Sequence, residues 1–173
     1  MPSLTDSMFA HSVTYVCEHS DQGAMGIVIN QPMGIPLREI LDHLHVENPS
    51  AHLDDPVMAG GPVQTDRGFV LHRSSDLRWE STIVITDEIS LTTSRDILDS
   101  MAHADGPTDS LVALGYAGWS AGQLEDEIAA NAWLTLPADS AIIFSVPIEQ
   151  RLNAAAAKLG VNMALISSSA GHA

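Results

Sequence analysis

The sequence predicts an α+β fold built mainly from antiparallel strands. Short segments rich in β-branched and aromatic residues recur between turn residues, as they do in antiparallel sheets. Four other segments place apolar residues at helical spacing or carry helix start and stop signals. At 173 residues the chain can bury one sizeable core. We therefore expect a single domain over residues 1–173 with about four helices.

The first third predicts a β-hairpin and then a short helix. Residues 12–19 and 24–30 are the two strand segments, and the sequence SDQG between them is turn material. Pro36 suits a first helical turn, and the apolar residues at helical spacing after it are Leu37, Ile40, Leu41 and Leu44. We therefore expect a helix across residues 36–46.

The middle third predicts short antiparallel strands followed by a second helix. Residues 57–59 and 68–72 flank a glycine-rich turn, and residues 79–86 alternate in polarity. Thr93 and Asp96 resemble a capping box. The helix that they begin should end near the sequence DGP, which is a strong stop signal.

The last third contains a pattern that suggests chemistry. A continuous apolar run at residues 110–116 predicts a buried strand, which leads into the GxSxG sequence of residues 118–122. An acid-rich helix follows, and Ser120 with Gln123 predicts its capping box. The alanine-rich segment 147–160, with proline at its start and glycine at its end, predicts the last helix.

Eight sequence motifs occur in one order along the whole chain. They are MPSLTDSMF, VTYVCEH followed by GAMGIVINQP, GGPV followed by RGFVLH, LTTSRDIL, LVALGYAGW, GQLEDEIAANAWLT, PAD and AGHA. Together they resemble the AlgH/YqgE-like family of small bacterial cytoplasmic proteins. The resemblance implies a mixed fold in which coiled sheets form a small barrel-like core, and it implies no established reaction or cofactor. Members are mostly uncharacterised, and some are described as transcriptional regulators.

The chain is strongly acidic. It has 22 Asp and Glu residues against seven Lys and Arg residues, a formal net charge of −15. Nucleic acids and anionic membranes are bound through concentrated basic surfaces, which seven scattered cations do not provide. We therefore expect no direct binding to nucleic acid and no membrane association. We expect a protein partner, which is unidentified, and a basic surface on that partner would complement the acidic charge of this chain. Adaptation to a salty cytoplasm also fits this acidity, and composition does not separate the two explanations.

Cysteine content and apolar runs predict a cytoplasmic protein. The only cysteine is Cys17, which excludes an internal disulfide, and no apolar run is long enough for a membrane span or a signal peptide. A thiol redox switch through Cys17 is one alternative function. It requires an exposed thiolate of low pKa, whereas a free cysteine on a strand is usually buried and the neighbouring Glu18 should raise the pKa.

A serine hydrolase is another alternative function, with Ser120 as the nucleophile of the GxSxG sequence. Asp139 and His172 follow in the required order, and Gly60-Gly61 could donate oxyanion hydrogen bonds. The acids after Ser120 oppose a developing oxyanion, and His172 is the penultimate residue. The same loop could cradle an anion through backbone amides, which these acids also disfavour. We therefore prefer a glycine-rich turn with a helix cap and assign no catalytic residue.

A ligand-binding surface is predicted from polar and aromatic residues near two unusual loops. Arg67 and Arg95 are two of only six arginines in an acidic chain, and an arginine can bind a carboxylate or a phosphate through two parallel hydrogen bonds. Each could equally form a structural ion pair. The full predicted set is Gly60, Gly61, Arg67, His72, Thr93, Ser94, Arg95, Tyr116 and Trp119.

Eight histidines raise the question of a metal site. The densest group combines His43, His45 and His52 with nearby carboxylates, but its spacing defines no ligand geometry. We predict no metal and no cofactor. The expected function is a regulatory or interaction module without catalysis, which acts through a protein partner or a small ligand rather than by direct DNA binding.

Overall fold

The described part of the chain, residues 8–47, 49 and 54–163 of a computed structural model, contains eight strands and five α-helices. In chain order they are β1 (Thr14–Ser20), β2 (Gly23–Val28), β3 (Pro32–Pro36), α1 (Leu37–His43), β4 (Pro56–Ala59), β5 (Val63–Arg73), β6 (Thr82–Val84), β7 (Ile89–Thr92), α2 (Asp96–Ala102), β8 (Ser110–Ser120), α3 (Gln123–Ala129), α4 (Ser140–Phe144) and α5 (Arg151–Lys158). A 3-10 turn at Ile148–Gln150 leads into α5.

β8 is the central strand because three other strands pair with it. Its first half pairs antiparallel with β5 along one edge and parallel with β4 along the other. Its second half pairs antiparallel with β2. The sheet order is β1-β2-β8-β5-β7-β6, with β3 attached through β4, so that β1 and β6 are the end strands. The sheet forms a half-barrel that is antiparallel apart from one pair, which confirms the predicted α+β fold.

Both faces are buried in the second half of β5 and the first half of β8. Phe69 and Leu71 pack into a core cluster with β1, β2, α4 and α5. Val70, whose side chain points to the opposite face, packs into a second cluster with α1 and α2. Since neither face of these half-strands is exposed, they need continuous apolar runs rather than alternation, as residues 110–116 of β8 show.

Three short elements were not predicted from the sequence. β3, β7 and α4 contain only four or five residues each, too few for a periodic pattern to emerge. The antiparallel prediction for the middle third holds for the pairing of β4 with β3 but is wrong for its pairing with β8, which is parallel. The predicted hairpin is confirmed by β1 and β2, and the four predicted helices correspond to α1, α2, α3 and α5.

The predicted capping box of α2 is wrong. The N-cap residue is Arg95, and its side chain makes no capping hydrogen bond to the first turn of α2. The Asp96 carboxylate instead accepts hydrogen bonds from the Ser94 hydroxyl at 2.5 Å and from the Glu80 amide at 2.8 Å. Asp96 therefore ties the start of α2 to the loop before β6.

A close backbone crossing joins the β4–β5 turn to β8. The Gly60 amide donates a hydrogen bond to the Leu114 carbonyl oxygen at 2.8 Å. A Cβ atom on Gly60 would lie 2.3 Å from the Gly115 carbonyl oxygen. A Cβ atom on Gly61 would lie 2.0 Å from the Tyr116 carbonyl carbon. Only glycine fits at these positions, because the two backbones contact each other directly.

A polar network lies inside the second core cluster. The imidazole of His72 is fully buried, with Nε2 at 2.8 Å from the Thr92 hydroxyl and Nδ1 at 3.1 Å from the Arg73 carbonyl oxygen. Because a carbonyl oxygen only accepts, Nδ1 carries the proton and Nε2 accepts from Thr92. The ring also packs edge-on against Trp79. Burial lowers the pKa of His72, which keeps the imidazole neutral.

We predict that Gly115→Ala destabilises the protein more than Gly34→Ala. Gly115 has φ of 76°, and its Cβ would lie 2.3 Å from the Gly61 carbonyl oxygen. Gly34 has φ of 79°, but nothing lies within 4 Å of its Cβ. Gly34→Ala should cost about 1–2 kcal/mol for the left-handed backbone alone, and Gly115→Ala roughly twice that or more because of the added clash. Denaturant unfolding measures both, and equal losses would contradict the crossing.

His72 predicts a loss of stability in acid. Below about 6.5, the ordinary pKa of histidine, the unfolded chain binds a proton at this position that the folded protein does not yet bind. The free energy of unfolding should therefore fall with decreasing pH by up to about 1.4 kcal/mol per pH unit, until the lowered folded pKa is reached. Denaturant unfolding between pH 7 and pH 5 should show a steeper loss for the wild type than for His72→Gln. Parallel profiles would contradict this assignment.

Candidate functional site

Three predicted ligand residues line one open cavity. Arg67, Tyr116 and Trp119 border a cavity of about 560 Å³ between the β1–β2 hairpin, β5 and the second half of β8. We call it the Arg67 cavity. Its polar walls are Glu18, Ser20, Gln22 and Gln64, and its aromatic floor includes Phe69.

An irregular stretch of β5 places Arg67 at this cavity. Val63 pairs with Tyr116, and the next paired residue, Gly68, lies opposite Leu114. Four residues of β5 thus lie opposite a single residue of β8, so segment 64–67 bulges out of the ladder. Gln64 has a positive φ of 48° at the start of this bulge. The bulge carries the exposed Arg67 side chain outside the regular sheet.

The Arg67 guanidinium is held by neutral groups. Nη1 donates to Gln64 Oε1 at 3.2 Å, and Nη2 donates to the Thr93 hydroxyl at 3.3 Å. The guanidinium carbon lies 5.5 Å from the centre of the Phe69 ring, within range of a cation–π interaction. Phe69 in turn packs edge-on against Tyr116, with 5.5 Å between ring centres. Arg67 is therefore oriented on an aromatic surface.

In the ranges that the structure describes, no carboxylate pairs with Arg67. Arg38 and Arg73 form ion pairs with aspartates at 2.6 and 2.8 Å, and Arg95 lies 3.9 Å from the Asp99 carboxylate. Arg78, another exposed arginine with no ion pair among the described residues, donates to the backbone carbonyl oxygens of Ser75 and Leu77, whereas Arg67 has only two neutral side-chain acceptors. Its remaining N–H donors are available to an anion.

Most of the other predicted ligand residues lie elsewhere. Arg95 donates to the Leu44 carbonyl oxygen and so joins α2 to the end of α1. The Ser94 hydroxyl accepts from the Ser81 amide and donates to Asp96. Thr93 alone contacts the cavity, through Arg67. The residues that do not line the cavity are Gly60 and Gly61 at the backbone crossing, the buried His72, Ser94 and Arg95.

Several residues of the cavity were missed by sequence reasoning. Ser20 and Gln22 belong to the β1–β2 hairpin, which reaches β8 through the pairing of β2 with residues 117–120. Gln64 lies in the bulge of β5. Proximity of these segments depends on strand register, for which the sequence carries no local signal. Gly118 also lines the cavity, and an added Cβ there would lie 3.3 Å from the Tyr116 ring.

Ser120 lies at the end of a regular strand and not in a strained turn. It pairs with Gly23, and its φ is not positive. The N-cap of α3 is Gly122, so the predicted cap by the Ser120 hydroxyl is wrong. Gln123 Oε1 does accept from the Ser120 amide at 3.0 Å, which is the reciprocal half of a capping box, and from the Ser120 hydroxyl at 3.2 Å. The nucleophile elbow of a hydrolase requires a sharp strained turn, which is not present here.

Asp139 has structural partners of its own. Its carboxylate caps α4 by accepting from the Ala141 amide at 2.8 Å and pairs with the Lys158 ammonium. The Ser120 hydroxyl hydrogen bonds only to Gln123 among the described residues. His172 lies outside the described residues. The geometry therefore brings no acid to Ser120.

Cys17 lies at a β-bulge of β1, where the register with β2 shifts. Its side chain packs against the first core cluster, and its Sγ lies 3.7 Å from the Tyr15 carbonyl oxygen. Burial raises the pKa of the thiol to about 12, so it is protonated at neutral pH. The raised pKa thus arises from burial, whereas the sequence pointed to Glu18.

The histidine-rich segment does not assemble ligands for a metal ion in its described part. Among the described residues, no group of three or more His, Cys, Asp or Glu side chains lies close enough to hold one ion. His52 falls outside the described ranges. Within those ranges, no helix is long and apolar enough to cross a bilayer.

Sequence comparison identifies close relatives over the full length of the chain. The AlgH-like family model matches residues 1–164. A UPF0301 protein of Thioalkalivibrio sulfidiphilus is 58% identical over 173 residues, covering 100% of this chain and 92% of that protein. The UPF0301 protein AlgH of Pseudomonas aeruginosa is 54% identical over 177 aligned positions, with 100% and 92% covered.

Structure comparison agrees. The solution structure of AlgH from Pseudomonas aeruginosa has a TM-score of 0.80 at 54% identity and covers 100% of this chain and 92% of that chain. A crystal structure of a Corynebacterium diphtheriae protein, 17% identical, has a TM-score of 0.73 over 98% and 87% of the two chains, which shows the fold alone. Because the family model and the relatives span almost the whole sequence, the chain belongs to the AlgH-like family.

Proposed function

We propose that the protein is a non-catalytic binding module of the cytoplasm, which acts through a small ligand or a protein partner and not by direct DNA binding. The observation that carries the proposal is the Arg67 cavity, in which an arginine that pairs with no carboxylate of the described residues lies over an aromatic floor. A ligand with a carboxylate group and a flat apolar body fits these walls. The carboxylate belongs either to a small molecule or to a side chain or the chain end of a protein partner.

The donors of Arg67 favour bidentate binding. A guanidinium has five N–H donors, and only two of its nitrogen atoms contact protein acceptors, through one hydrogen bond each. Gln64 and Thr93 are neutral, so they orient the group without cancelling its charge. Carboxylates and phosphates accept two parallel hydrogen bonds from such a fork. The contacts therefore support recognition of an anion.

The charges around the cavity favour a singly charged anion. Of the described residues that line it, Arg67 alone is cationic, and Glu18 borders the same space. With a formal net charge of −15 on the whole chain, a second negative charge on the ligand would be repelled. A carboxylate is therefore a better match than a phosphate dianion. The aromatic floor of Phe69 and Tyr116 would stack against the apolar part of the ligand.

The same charge opposes direct contact with DNA. Binding to a phosphate backbone requires several Lys or Arg side chains on one surface, and this chain has seven in total. Any effect on transcription would therefore pass through another protein. A partner with a basic surface would be attracted and steered by the acidic exterior.

The proposal predicts that a bound anion depends on Arg67. Native mass spectrometry of the protein purified gently from its own host should show a retained small molecule or a partner subunit, and Arg67→Ala should reduce its occupancy about tenfold or more. Arg78→Ala is the matched control, since Arg78 is exposed and donates to the backbone carbonyls of Ser75 and Leu77. Arg67→Lys should retain little of the wild-type occupancy, because an ammonium cannot form the two parallel hydrogen bonds of a guanidinium.

Two outcomes would contradict the proposal. One is a wild-type protein that carries neither a ligand nor a partner. The other is a bound species whose occupancy is the same in Arg67→Ala and Arg78→Ala. Thermal unfolding of each variant confirms that the mutations leave the fold intact, because both side chains are exposed.

The proposal assigns no redox function to Cys17, whereas a thiol switch would require a thiol that reacts rapidly. Since burial raises the thiol pKa to about 12, iodoacetamide should modify Cys17 in the folded protein at least about tenfold more slowly than a free cysteine at neutral pH. The urea-unfolded protein, which exposes the thiol, provides the control rate. A folded-state rate equal to or above that of free cysteine would revive the redox function.

A further inference from the structure

β1 has an open edge. It pairs with β2 on one side and ends the sheet on the other, where no backbone hydrogen bond from any described residue reaches Thr14–Ser20. Unpaired amide and carbonyl groups on such an edge can accept another strand. This edge is seven residues long, whereas the opposite end strand, β6, has three.

An apolar groove runs along this edge. Four consecutive residues of β1 and its approach, 13–16, line a cavity of about 280 Å³. Consecutive residues point to opposite faces of a strand, so a cavity that contacts all four must lie against the strand's edge. The opposite wall is the extended segment 133–139. We call this space the β1 groove.

The side chains of the β1 groove expose apolar surface. Val16 is 39% exposed and Leu134 is 53% exposed, and Ile128 of α3 borders the same groove. Trp119 and Trp133 form the wall next to α3. Exposed apolar side chains that converge on one groove are typical of an interaction site.

The aromatic wall is held in place by one carboxylate. Glu127 Oε2 accepts hydrogen bonds from Trp119 Nε1 at 2.9 Å and from Trp133 Nε1 at 2.8 Å. Gln123 donates to the other oxygen of Glu127 at 3.0 Å. Although burial opposes ionisation, these hydrogen bonds lower the pKa of Glu127 below its ordinary range. The groove is therefore preorganised, with a negative charge directly behind the two indoles.

The charge of the groove selects a cationic partner. Among the described residues, Asp139 is its only ionisable lining side chain apart from Tyr15, and no lysine or arginine lines it. Lys158 pairs with Asp139 and offsets its charge at one end, whereas the exposed carboxylate of Glu18 continues β1 beyond the other end. Glu127 adds a further negative charge. Positive residues that flank an apolar segment would complement these groups.

We propose that the β1 groove binds an extended segment of a partner protein, apolar at its centre and basic at its ends, which pairs with β1 as an added strand. Backbone hydrogen bonds to the open edge supply part of the affinity, and the apolar side chains fill the groove. The β1 groove shares Trp119 with the Arg67 cavity, but neither Arg67 nor its hydrogen-bond partners line it, so different variants test the two proposals.

The test uses pooled synthetic peptides and the full-length protein. Each nine-residue peptide has five central positions drawn from Val, Ile, Leu and Thr and two lysines at each end. Amide hydrogen–deuterium exchange should show about tenfold or greater slowing in β1 when the pool is added. A pool with glutamate ends should fail because of charge, and a pool with N-methylated central amides should fail because it cannot form the ladder.

Matched variants locate the binding site. Val16→Lys places a charge on the groove and should abolish the slowing. Ile83→Lys is the control, because Ile83 is 60% exposed on the other end strand. Thermal unfolding verifies that each variant is folded, and Arg67→Ala should bind the lysine-ended pool as the wild type does.

Four results would overturn the proposal. They are no slowing in β1 with the lysine-ended pool, equal slowing with the N-methylated pool, binding that survives Val16→Lys, and β1 amides that are already as protected as those of β8 in the protein alone. The last would mean that the chain covers its own edge. A concentration-dependent dimer that Val16→Lys dissolves would instead identify a second copy of this chain as the occupant.

Discussion

The backbone crossing between the β4–β5 turn and β8 is the contact on which the architecture depends. Because Gly60 and Gly61 lie directly against Gly115 and Tyr116, β4 can pair parallel with one edge of β8 while β5 returns antiparallel along the other. The chain passes from one edge of the central strand to the other within three residues. This arrangement requires glycine at positions 60, 61 and 115, where no side chain fits. It gives the central strand partners on both edges.

The crossing also determines where the candidate site lies. β5 begins at Val63, directly after the turn, and pairs there with Tyr116. The ladder then resumes at Gly68, so the bulge that carries Arg67 is confined between two fixed pairs. A bulge next to a rigid pairing is a reliable way to aim a side chain out of a sheet. The candidate site is thus a local irregularity of β5 that is supported by the most constrained part of the fold.

The limits of sequence reasoning follow from the range of the interactions involved. The β1–β2 hairpin and β8 were predictable because their turn residues and apolar runs are local. The parallel pairing of β4 and the caps of α2 and α3 were not, since they depend on contacts made after distant segments meet. Tertiary context overrides a local motif when another residue satisfies the same polar groups.

The candidate site was also only partly predictable from the sequence. Arg67, Tyr116 and Trp119 were identified by residue type in an acidic chain, and all three line the cavity. His72 and Arg95 were grouped with them for the same reason. The pairing of β5 with β7 buries His72, and Arg95 hydrogen bonds to the end of α1.

Trp119 connects the two candidate surfaces, because it lines both the Arg67 cavity and the β1 groove. An occupant of one that displaces this indole changes the shape of the other, and thermodynamic linkage makes that influence mutual.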